Sequence, residues 1–454
     1  MASVINATER LSMSARDSVI DVEKEVNIHL ENKKISRNFF WFLWALYVIV
    51  YISKSNFNGA LASIVSDGVM TKSQTGFIIA MFYIVYAPFQ IIGGMIVDKR
   101  SPERMIKIGL LGAIVANIIV FFFSDNYYVM LAAWTFNGII QFGIWPGIFK
   151  IISSQLVKED RKMMSYYISF STTAGLITTY LLAAIVPHWK YSFIITIVAL
   201  ALFTVGLHLF EKRLSPYMKW DRKEKYEVDN NSSKVNYSLS TKEVLLKSGF
   251  FFVVASLIFS TATTQSQKTF ASIMFVENYD KVSSSLGNIL TIVFLIAGLI
   301  GTLLAGKICK SVKNEVLGMA ISFGSMIPPL IVCSFVGSVP IFAMVSCFSI
   351  VAVAESFSAL LRTRYTMTYA KFGKSGMAAG ILNSAMAASF VLSSYVVPLL
   401  IENFGWHTAI FMWAMFMVIA AILLLISNTK YKKMINQFST EEIQAETAKI
   451  NKEL

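Results

Sequence analysis

Charged residues and cysteines are scarce in this chain of 454 residues. Only 15% of the residues are charged and 55% are hydrophobic, whereas a soluble globular protein has about 25% charged and about 45–50% apolar residues. The surplus of apolar side chains needs surroundings other than water. Apolar runs of about 20 residues, enough to cross a bilayer, recur along the whole chain. We therefore expect a polytopic membrane protein.

The cysteines and histidines also lack the spacing of a metal or disulfide site. Cys309, Cys333 and Cys347 form no CxxC pair, and the four histidines are scattered, so we expect no disulfide framework and no metal site. The chain contains no complete phosphate loop, nucleophile elbow or metalloprotease helix. We therefore expect no enzyme, no catalytic residue and no cofactor. The net charge of +13 indicates basic cytoplasmic loops rather than nucleic-acid binding.

The apolar spans fall into two groups of six. Residues 1–38 are polar and do not form a cleavable signal peptide. Residues 211–248 form a charged central loop, and 429–454 form a charged tail. We expect one six-helix bundle over 39–210 and another over 249–428. The predicted spans are 39–65, 76–97, 104–123, 128–152, 164–187, 191–210, 249–275, 284–306, 315–337, 339–369, 376–401 and 405–428.

The basic residues of the short loops predict the orientation of the chain. Loops after spans 2, 4, 8 and 10 are rich in Lys and Arg, whereas loops after odd-numbered spans carry little more than Lys72, Lys190 and Lys281. Positively charged loops stay in the cytoplasm, so we expect both termini and the central loop there. A weak similarity between "ISKSNFNGALASIV" and "QSQKTFASIMFV" agrees with two parallel six-span repeats, a known transporter architecture.

A few ionisable residues lie inside the apolar spans, where an Arg or Lys costs about 2.5–3.5 kcal/mol. They lie in spans 1, 4, 7 and 10, the first and fourth spans of each half. They are Lys54, Lys150, Lys268, Glu355, Arg362 and Arg364. We expect these four spans to surround a polar cavity.

The neighbours of these residues support a cationic cavity. Tyr47, Tyr51, Lys54 and Asn58 share one face of a helix, and the run "STATTQSQKT" (260–269) contains no large apolar side chain. We expect Lys54, with Lys268 or Arg362 opposite, to hold an anionic group. The hydrogen-bonding candidates are Tyr51, Asn58, Gln141 and Gln265.

Other roles stay open for several of these groups. Lys150 and Lys268 could extend to the membrane interfaces. Arg362 and Arg364 could form a gating or structural ion pair. Glu355 could neutralise Arg362 or carry a coupling proton.

Several motifs resemble a known family. "GGMIVDKRSPERM" (93–105) is similar to the loop signature of the major facilitator superfamily, with Gly94, Asp98, Lys99 and Arg104 at signature positions. The segments "YISKSNF", "QFGIWPG", "AGLIGTLLAG", "GMAAG" and "FGWHTAIF" resemble its organophosphate:phosphate antiporter branch and the related organic-anion carriers, the anion:cation symporters.

The resemblance implies an all-α membrane protein of twelve transmembrane helices in two six-helix bundles. It further implies a central site lined by helices 1, 4, 7 and 10, with alternating access. The phosphate antiporters grip phosphate with one Arg in helix 1 and another in helix 7. Lys54 and Thr264 stand at those places here. Because Lys is a point charge without the planar fork of Arg, we expect an anion transporter but not a phosphate exchanger.

We therefore expect a secondary active transporter for a small organic anion, such as a sugar acid, a carboxylate or a sugar phosphate. Its coupled species would be a proton, sodium or a counter-anion. We expect a monomer in the bilayer of a bacterial plasma membrane. Two alternatives remain: a proton-coupled efflux pump for amphiphilic compounds, and a membrane sensor on a transporter fold. The first predicts an acidic residue early in span 1, and the second an additional soluble signalling part.

Overall fold

The computed structural model describes the backbone of residues 2–154, 156, 160, 163–164, 167–214, 245–369 and 375–453. Side chains are described for residues 33–90, 92–97, 100–152, 156, 160, 163–164, 167–212, 245–369, 378 and 380–434. Most of the predicted central loop, and the side chains of Asp98 and Lys99, lie outside these residues.

Every element of secondary structure in the described residues is helical. The first half contains α1 (Ala2–Ser66), α2 (Lys72–Lys99), α3 (Pro102–Phe123), α4 (Tyr127–Ile140), α5 (Ile144–Ser154), α6 (Phe170–Ile185) and α7 (Lys190–Leu214). The second half contains α8 (Phe250–Asn278), α9 (Ser284–Ile308), α10 (Glu315–Cys333), α11 (Ile341–Thr368) and α12 (Ser375–Glu453). The predicted all-α class is confirmed.

Each predicted span overlaps one or two of these helices. α4 and α5 together form one span, joined by the 3-10 turn Gln141–Gly143. α12 contains two spans, because Gly405 interrupts it with a φ of 79° and a ψ of 174°. Eight described segments are long and apolar enough to cross a membrane. α8 falls outside that set because of its polar run, and α6 because it has only 16 residues.

Local capping explains where four of the described helices begin. Thr71 caps α2 in a reciprocal capping box with Gln74, and Asn126, Ser283 and Asn314 accept hydrogen bonds from the first backbone amides of α4, α9 and α10. These side chains satisfy donors that have no partner within the helix. Polar residues between apolar runs therefore set short turns, which hold consecutive spans side by side.

The two halves meet along α2 and α12, along α6 and α9, and along α1 and α8. Large apolar side chains on the outside remain exposed, including Phe122 at 70%, Leu202 at 66% and Phe342 at 72%. Such a surface suits lipid rather than water. The region between the halves therefore offers the polar residues a place away from lipid.

Charged contacts join the halves at the end where α2 begins and α8 ends. Lys72 Nζ lies 2.8 Å from Glu277 Oε1, and Trp406 Nε1 donates to Glu277 Oε2 at 2.7 Å. The backbone amide of Ser73 donates to Glu402 Oε1 at 2.8 Å, which places a carboxylate at the positive end of the α2 dipole. We call this region, formed by Lys72, Ser73, Glu277, Glu402 and Trp406, the closed end.

The two adjacent glycines of the loop signature differ in their surroundings. A Cβ on Gly93 would lie 2.4 Å from the carbonyl oxygen of Phe142, whereas a Cβ on Gly94 would meet nothing within 4 Å. The close approach of α2 to the Gln141–Gly143 turn therefore needs Gly93, the neighbour of the predicted Gly94.

We expect Gly93→Ala to destabilise the protein by about 1–3 kcal/mol, because a backbone carbonyl cannot yield to the added methyl group. Gly94→Ala is the matched control and should be neutral or stabilising by up to about 1 kcal/mol through helix propensity. The melting temperatures of the purified variants in detergent measure the difference. Equal melting temperatures would contradict the packing described for Gly93.

Candidate functional site

A cavity of about 300 Å³ lies between the two halves. Six of the residues predicted for the site line it. They are Tyr51, Asn58, Gln265, Lys268, Glu355 and Arg362. The helices around the cavity differ from the expected set: α1, α8 and α11 contribute as predicted, but no residue of α4 or α5 lines it. α2, α6, α9 and α12 supply the other walls.

Lys268 and Glu355 form an ion pair on the wall of the second half. Lys268 Nζ lies 2.7 Å from Glu355 Oε1 and 2.7 Å from Oε2. The side chains are 26% and 29% exposed, so the pair faces the cavity rather than the core. Of the two roles left open for Glu355, neutralising Arg362 or carrying a proton, the first is not met by a direct contact: both carboxylate oxygens contact Lys268 on α8.

Arg362 lines the cavity without a carboxylate of its own. Among the described residues its guanidinium takes part in no salt bridge. Glu355 attracts it only at longer range, and that carboxylate is already bound to Lys268. The wall therefore carries one positive charge that is not neutralised by a direct contact.

Lys54 lies beside the cavity rather than on its wall. Its side chain is buried, and Nζ donates to Tyr86 Oη at 2.5 Å. Nζ also lies 4.3 Å from the centre of the Tyr86 ring and 5.5 Å from that of Tyr47. Gln90 Nε2 donates to the same Tyr86 oxygen. Within the part of the chain described here, Lys54 has aromatic and hydroxyl partners but no carboxylate within salt-bridge distance.

Gln141 belongs to a polar network inside the first half. It is completely buried, and its Nε2 donates to Asn137 Oδ1 at 2.6 Å and to Ser53 Oγ at 3.5 Å. Asn137 in turn donates to the carbonyl oxygen of Ser53 at 3.2 Å. α4 ends at Ile140, and the Gln141 side chain turns back to Asn137 one helical turn earlier. The structure therefore places Gln141 away from the cavity that it was expected to line.

Hydroxyl groups and aromatic rings make up most of the remaining polar wall. The hydroxyls belong to Ser55, Thr172, Thr173, Thr261, Thr264, Thr302 and Ser356, and the rings to Tyr51, Tyr83 and Phe390. The ring centres of Tyr83 and Phe390, one from each half, lie 4.8 Å apart. Such a wall can donate to and accept from several hydroxyl groups of a ligand.

Sequence reasoning missed the residues from α2 and α6. Tyr83, Tyr86 and Gln90 recur at helical spacing within an apolar span, and this polar stripe could have been found in the same way as the one in span 1. Thr172 and Thr173 offered no comparable signal, because threonines are common in membrane helices and often bond to their own backbone.

Three other basic residues singled out from the sequence, Lys150, Arg364 and Arg104, lie outside the cavity lining. Lys150 donates to the carbonyl oxygen of Val97 at 2.5 Å. Arg364 lies 3.0 Å from Glu315 Oε1 and donates to the carbonyl oxygens of Cys309 and Val312, so it joins α11 to the turn after α9. Arg104 is exposed. The described residues contain no cluster of metal-ligating side chains.

Comparison with known sequences gives both a family and relatives. The family model described as Major Facilitator Superfamily matches residues 43–310 and 266–451. The membrane sensor protein UhpC of Salmonella typhimurium is 24% identical over 214 residues, which cover 45% of this chain and 48% of that protein. The chain thus spans about half the length of this relative. A probable hexose phosphate transport protein of Chlamydia trachomatis is 22% identical over 311 residues, covering 63% of this chain and 68% of that protein.

Comparison with solved structures agrees on the fold. A bacterial homologue of the human lysosomal transporter Spinster, in an inward-facing and occupied conformation, superposes with a TM-score of 0.67. The sequences are 12% identical, and the match covers 87% of this chain and 97% of that one. On the evidence of the family model, the chain belongs to the major facilitator superfamily of membrane transport proteins.

Proposed function

We propose that this protein is a secondary active transporter for a small, hydroxylated organic anion, which binds between the two halves and crosses by alternating access. The observation that carries the proposal is a pair of cations without bound carboxylates, one from each half. Arg362 lies on the cavity wall of the second half, and Lys54 lies next to the wall of the first half.

The energetics of buried charge support an anionic ligand. A cation within the membrane is costly unless it finds a partner of opposite charge. Aromatic rings and one phenol oxygen offset only part of that cost at Lys54. An anion between Lys54 and Arg362 would offset more of it. Lys268, which the sequence offered as an alternative to Arg362, already has Glu355 as its partner.

The rest of the cavity favours a hydroxylated molecule of modest size. The volume of about 300 Å³ is at the lower end of small-molecule sites, and the wall is rich in hydroxyl groups. Sugar acids, hydroxylated carboxylates and sugar phosphates fit these features. The name of the Chlamydia relative, a probable hexose phosphate transport protein, supports testing a sugar phosphate first.

A proton-coupled efflux pump fits less well. That alternative predicts an acidic group early in the first span, but residues 39–65 contain no Asp or Glu. Arg362 on the cavity wall and Lys54 beside it would repel a cationic amphiphile.

A sensor is the second candidate, favoured by the similarity to UhpC of Salmonella typhimurium. A sensor and a transporter could bind the same anion in the same cavity, so binding alone does not distinguish them. Uptake of radiolabelled glucose 6-phosphate and gluconate into proteoliposomes does. Accumulation above that in protein-free vesicles supports transport, whereas binding without accumulation supports a sensor.

We further infer that the closed end faces away from the cytoplasm. The loops at the opposite end carry the Lys and Arg residues, and this distribution supports cytoplasmic termini. The protein would then lie as a monomer in a bacterial plasma membrane, with its cavity closed on the outer side.

Glu355 is our candidate for the coupling group. It is the single carboxylate among the described residues that line the cavity. Protonation would release Lys268 and change the summed charge of Lys268, Glu355 and Arg362 from +1 to +2. An anion and a proton would then favour each other's binding.

We expect Lys54→Ala and Arg362→Ala each to reduce anion binding by at least tenfold, since each removes a charge-assisted contact worth about 1.5–3 kcal/mol. Lys190→Ala is the matched control. Lys190 pairs with the exposed Asp125 at 3.3 Å, outside the cavity, so this variant should bind normally. Thermal-shift titration with gluconate and glucose 6-phosphate measures binding. Unchanged binding by both site variants would contradict the proposed site.

We expect Glu355→Gln to raise anion affinity by roughly three- to tenfold, because the neutral amide no longer forms an ion pair with Lys268 and leaves that cation free to contact the ligand. Thermal-shift titration of the variant and the wild type with gluconate measures this effect. An affinity of Glu355→Gln equal to or below that of the wild type would leave Glu355 a structural partner of Lys268.

A further inference from the structure

A hydrogen bond between the halves ends on the backbone of a cavity residue. Tyr180 on α6 is completely buried, and its hydroxyl donates to the main-chain carbonyl oxygen of Lys268 on α8. The side chain of Lys268 forms the ion pair with Glu355. The contact therefore joins the first half directly to the helix turn that carries the charged wall of the cavity.

The hydroxyl of Ser272 lies on the same helix, four residues after Lys268, and has no hydrogen-bond partner. Ser272 is 2% exposed, and its Oγ is one of the buried polar atoms that lack a partner among the described residues. A Cβ on Gly287 of α9 would lie 3.0 Å from this oxygen, so α9 encloses it closely. A buried hydroxyl without a partner destabilises the conformation that contains it.

Several other buried serine and threonine hydroxyls in these helices have the hydrogen-bond partner that Ser272 lacks. In membrane helices a serine or threonine hydroxyl commonly donates to the carbonyl four residues earlier. Ser266 does so on the same helix, donating to Ala262 at 2.7 Å, and Thr179 and Thr291 do so elsewhere. The corresponding acceptor for Ser272 is the carbonyl of Lys268, which already accepts from Tyr180.

A carbonyl oxygen has two lone pairs. In α8 one of them serves the helical amide of Ser272, four residues later. A single position then remains, and the hydroxyls of Tyr180 and Ser272 compete for it. Tyr180 belongs to the half that moves away when the closed end opens, whereas Ser272 stays with the carbonyl.

We propose that the carbonyl oxygen of Lys268 exchanges hydrogen-bond donors during transport. It accepts a hydrogen bond from Tyr180 while the halves are in contact at the closed end, and from Ser272 once the halves separate there. The inference rests on the alternating access proposed above. The exchange means that separation leaves no carbonyl unpaired, and it gives the hydroxyl of Ser272 a partner that it lacks in the closed state. Tyr180 and Ser272 are thus positioning residues that act through Lys268 and do not touch the ligand.

The opening can be followed without a ligand by the labelling of one thiol. Ser394 on α12 is completely buried, and a Cβ on Gly76 of α2 would lie 2.3 Å from its carbonyl oxygen, so it lies in the interface between the halves. Ser394→Cys, with Cys309, Cys333 and Cys347 replaced by alanine, provides the reporter. When closing is fast compared with labelling, the rate with a maleimide reports the open population.

The exchange predicts a pattern across five variants of this reporter protein. Ser272→Ala should slow labelling by roughly five- to thirtyfold, because it removes the partner in the open state and the unpaired hydroxyl in the closed state. Tyr180→Phe alone should change the rate by no more than about threefold, because Ser272 takes its place. In the Ser272→Ala background, Tyr180→Phe should accelerate labelling by roughly three- to tenfold.

Ser266→Ala is the matched control and should leave the rate nearly unchanged, since its hydrogen bond within α8 is the same in both states. Ser272→Thr keeps a hydroxyl at the same place and should restore faster labelling than Ser272→Ala. A rate for Ser272→Ala equal to that of Ser266→Ala would overturn the exchange. An equal effect of Tyr180→Phe in both backgrounds would also overturn it. Because no anion is present, these results are independent of whether Lys54 and Arg362 bind the ligand.

Discussion

Inside a bilayer a polar group has no water as a partner, so it must find one within the protein. This constraint determines where the polar residues of the chain lie. Arg364 contacts Glu315 and two backbone carbonyls, and the amide nitrogen of Gln141 donates to Asn137 and Ser53. These groups hold helices together within one half. Buried polar atoms without a partner among the described residues occur within the halves, such as Gln141 Oε1, and also at their boundary, such as Asn288 Oδ1.

The cations follow the same division. Lys268 has a carboxylate partner, Lys54 has a phenol and two rings, and Arg362 has no salt bridge among the described residues. The anion that we propose would therefore interact with Arg362 without first displacing a direct ionic partner. Lys54 would have to leave Tyr86, which is a weaker partner than a carboxylate. In the proposed coupling, the ion pair of Lys268 and Glu355 then accepts the proton.

The interface between the halves contains features that oppose its own stability. Three buried oxygens have no partner among the described residues and lie on helices that meet the other half, Ser272 Oγ, Asn288 Oδ1 and Ser394 Oγ. The amide nitrogen of Asn288 donates to the carbonyl oxygen of Gly59 at 3.2 Å, whereas its amide oxygen has no partner among the described residues. Each unsatisfied group in such a place costs about 1–3 kcal/mol. Attractive contacts at the edge of this interface and incomplete pairing within it would suit the alternating access that we propose.

The sequence alone determined the class of the protein and much of its cavity. Apolar runs of membrane length predicted the helices, and the cost of charge in a bilayer singled out Lys268, Glu355 and Arg362, which the structure brings to one wall. Helical spacing likewise identified Tyr51 and Asn58. The period of a helix shows which residues share a face, but it does not show what that face meets.

Only the tertiary structure decided which residues are partners. Spacing along α11 left open whether Glu355 neutralises Arg362 or carries a proton, but its direct partner is a lysine from α8. Gln141, in the 3-10 turn between α4 and α5, contacts Asn137 inside the first half rather than the cavity. Tyr86 on α2 is the hydrogen-bond partner of Lys54. The competition of Tyr180 and Ser272 for one carbonyl depends on a contact between residues 88 positions apart. Sequence patterns report local geometry, whereas pairing across helices depends on how the bundles pack, and that physical difference sets the limit of the prediction.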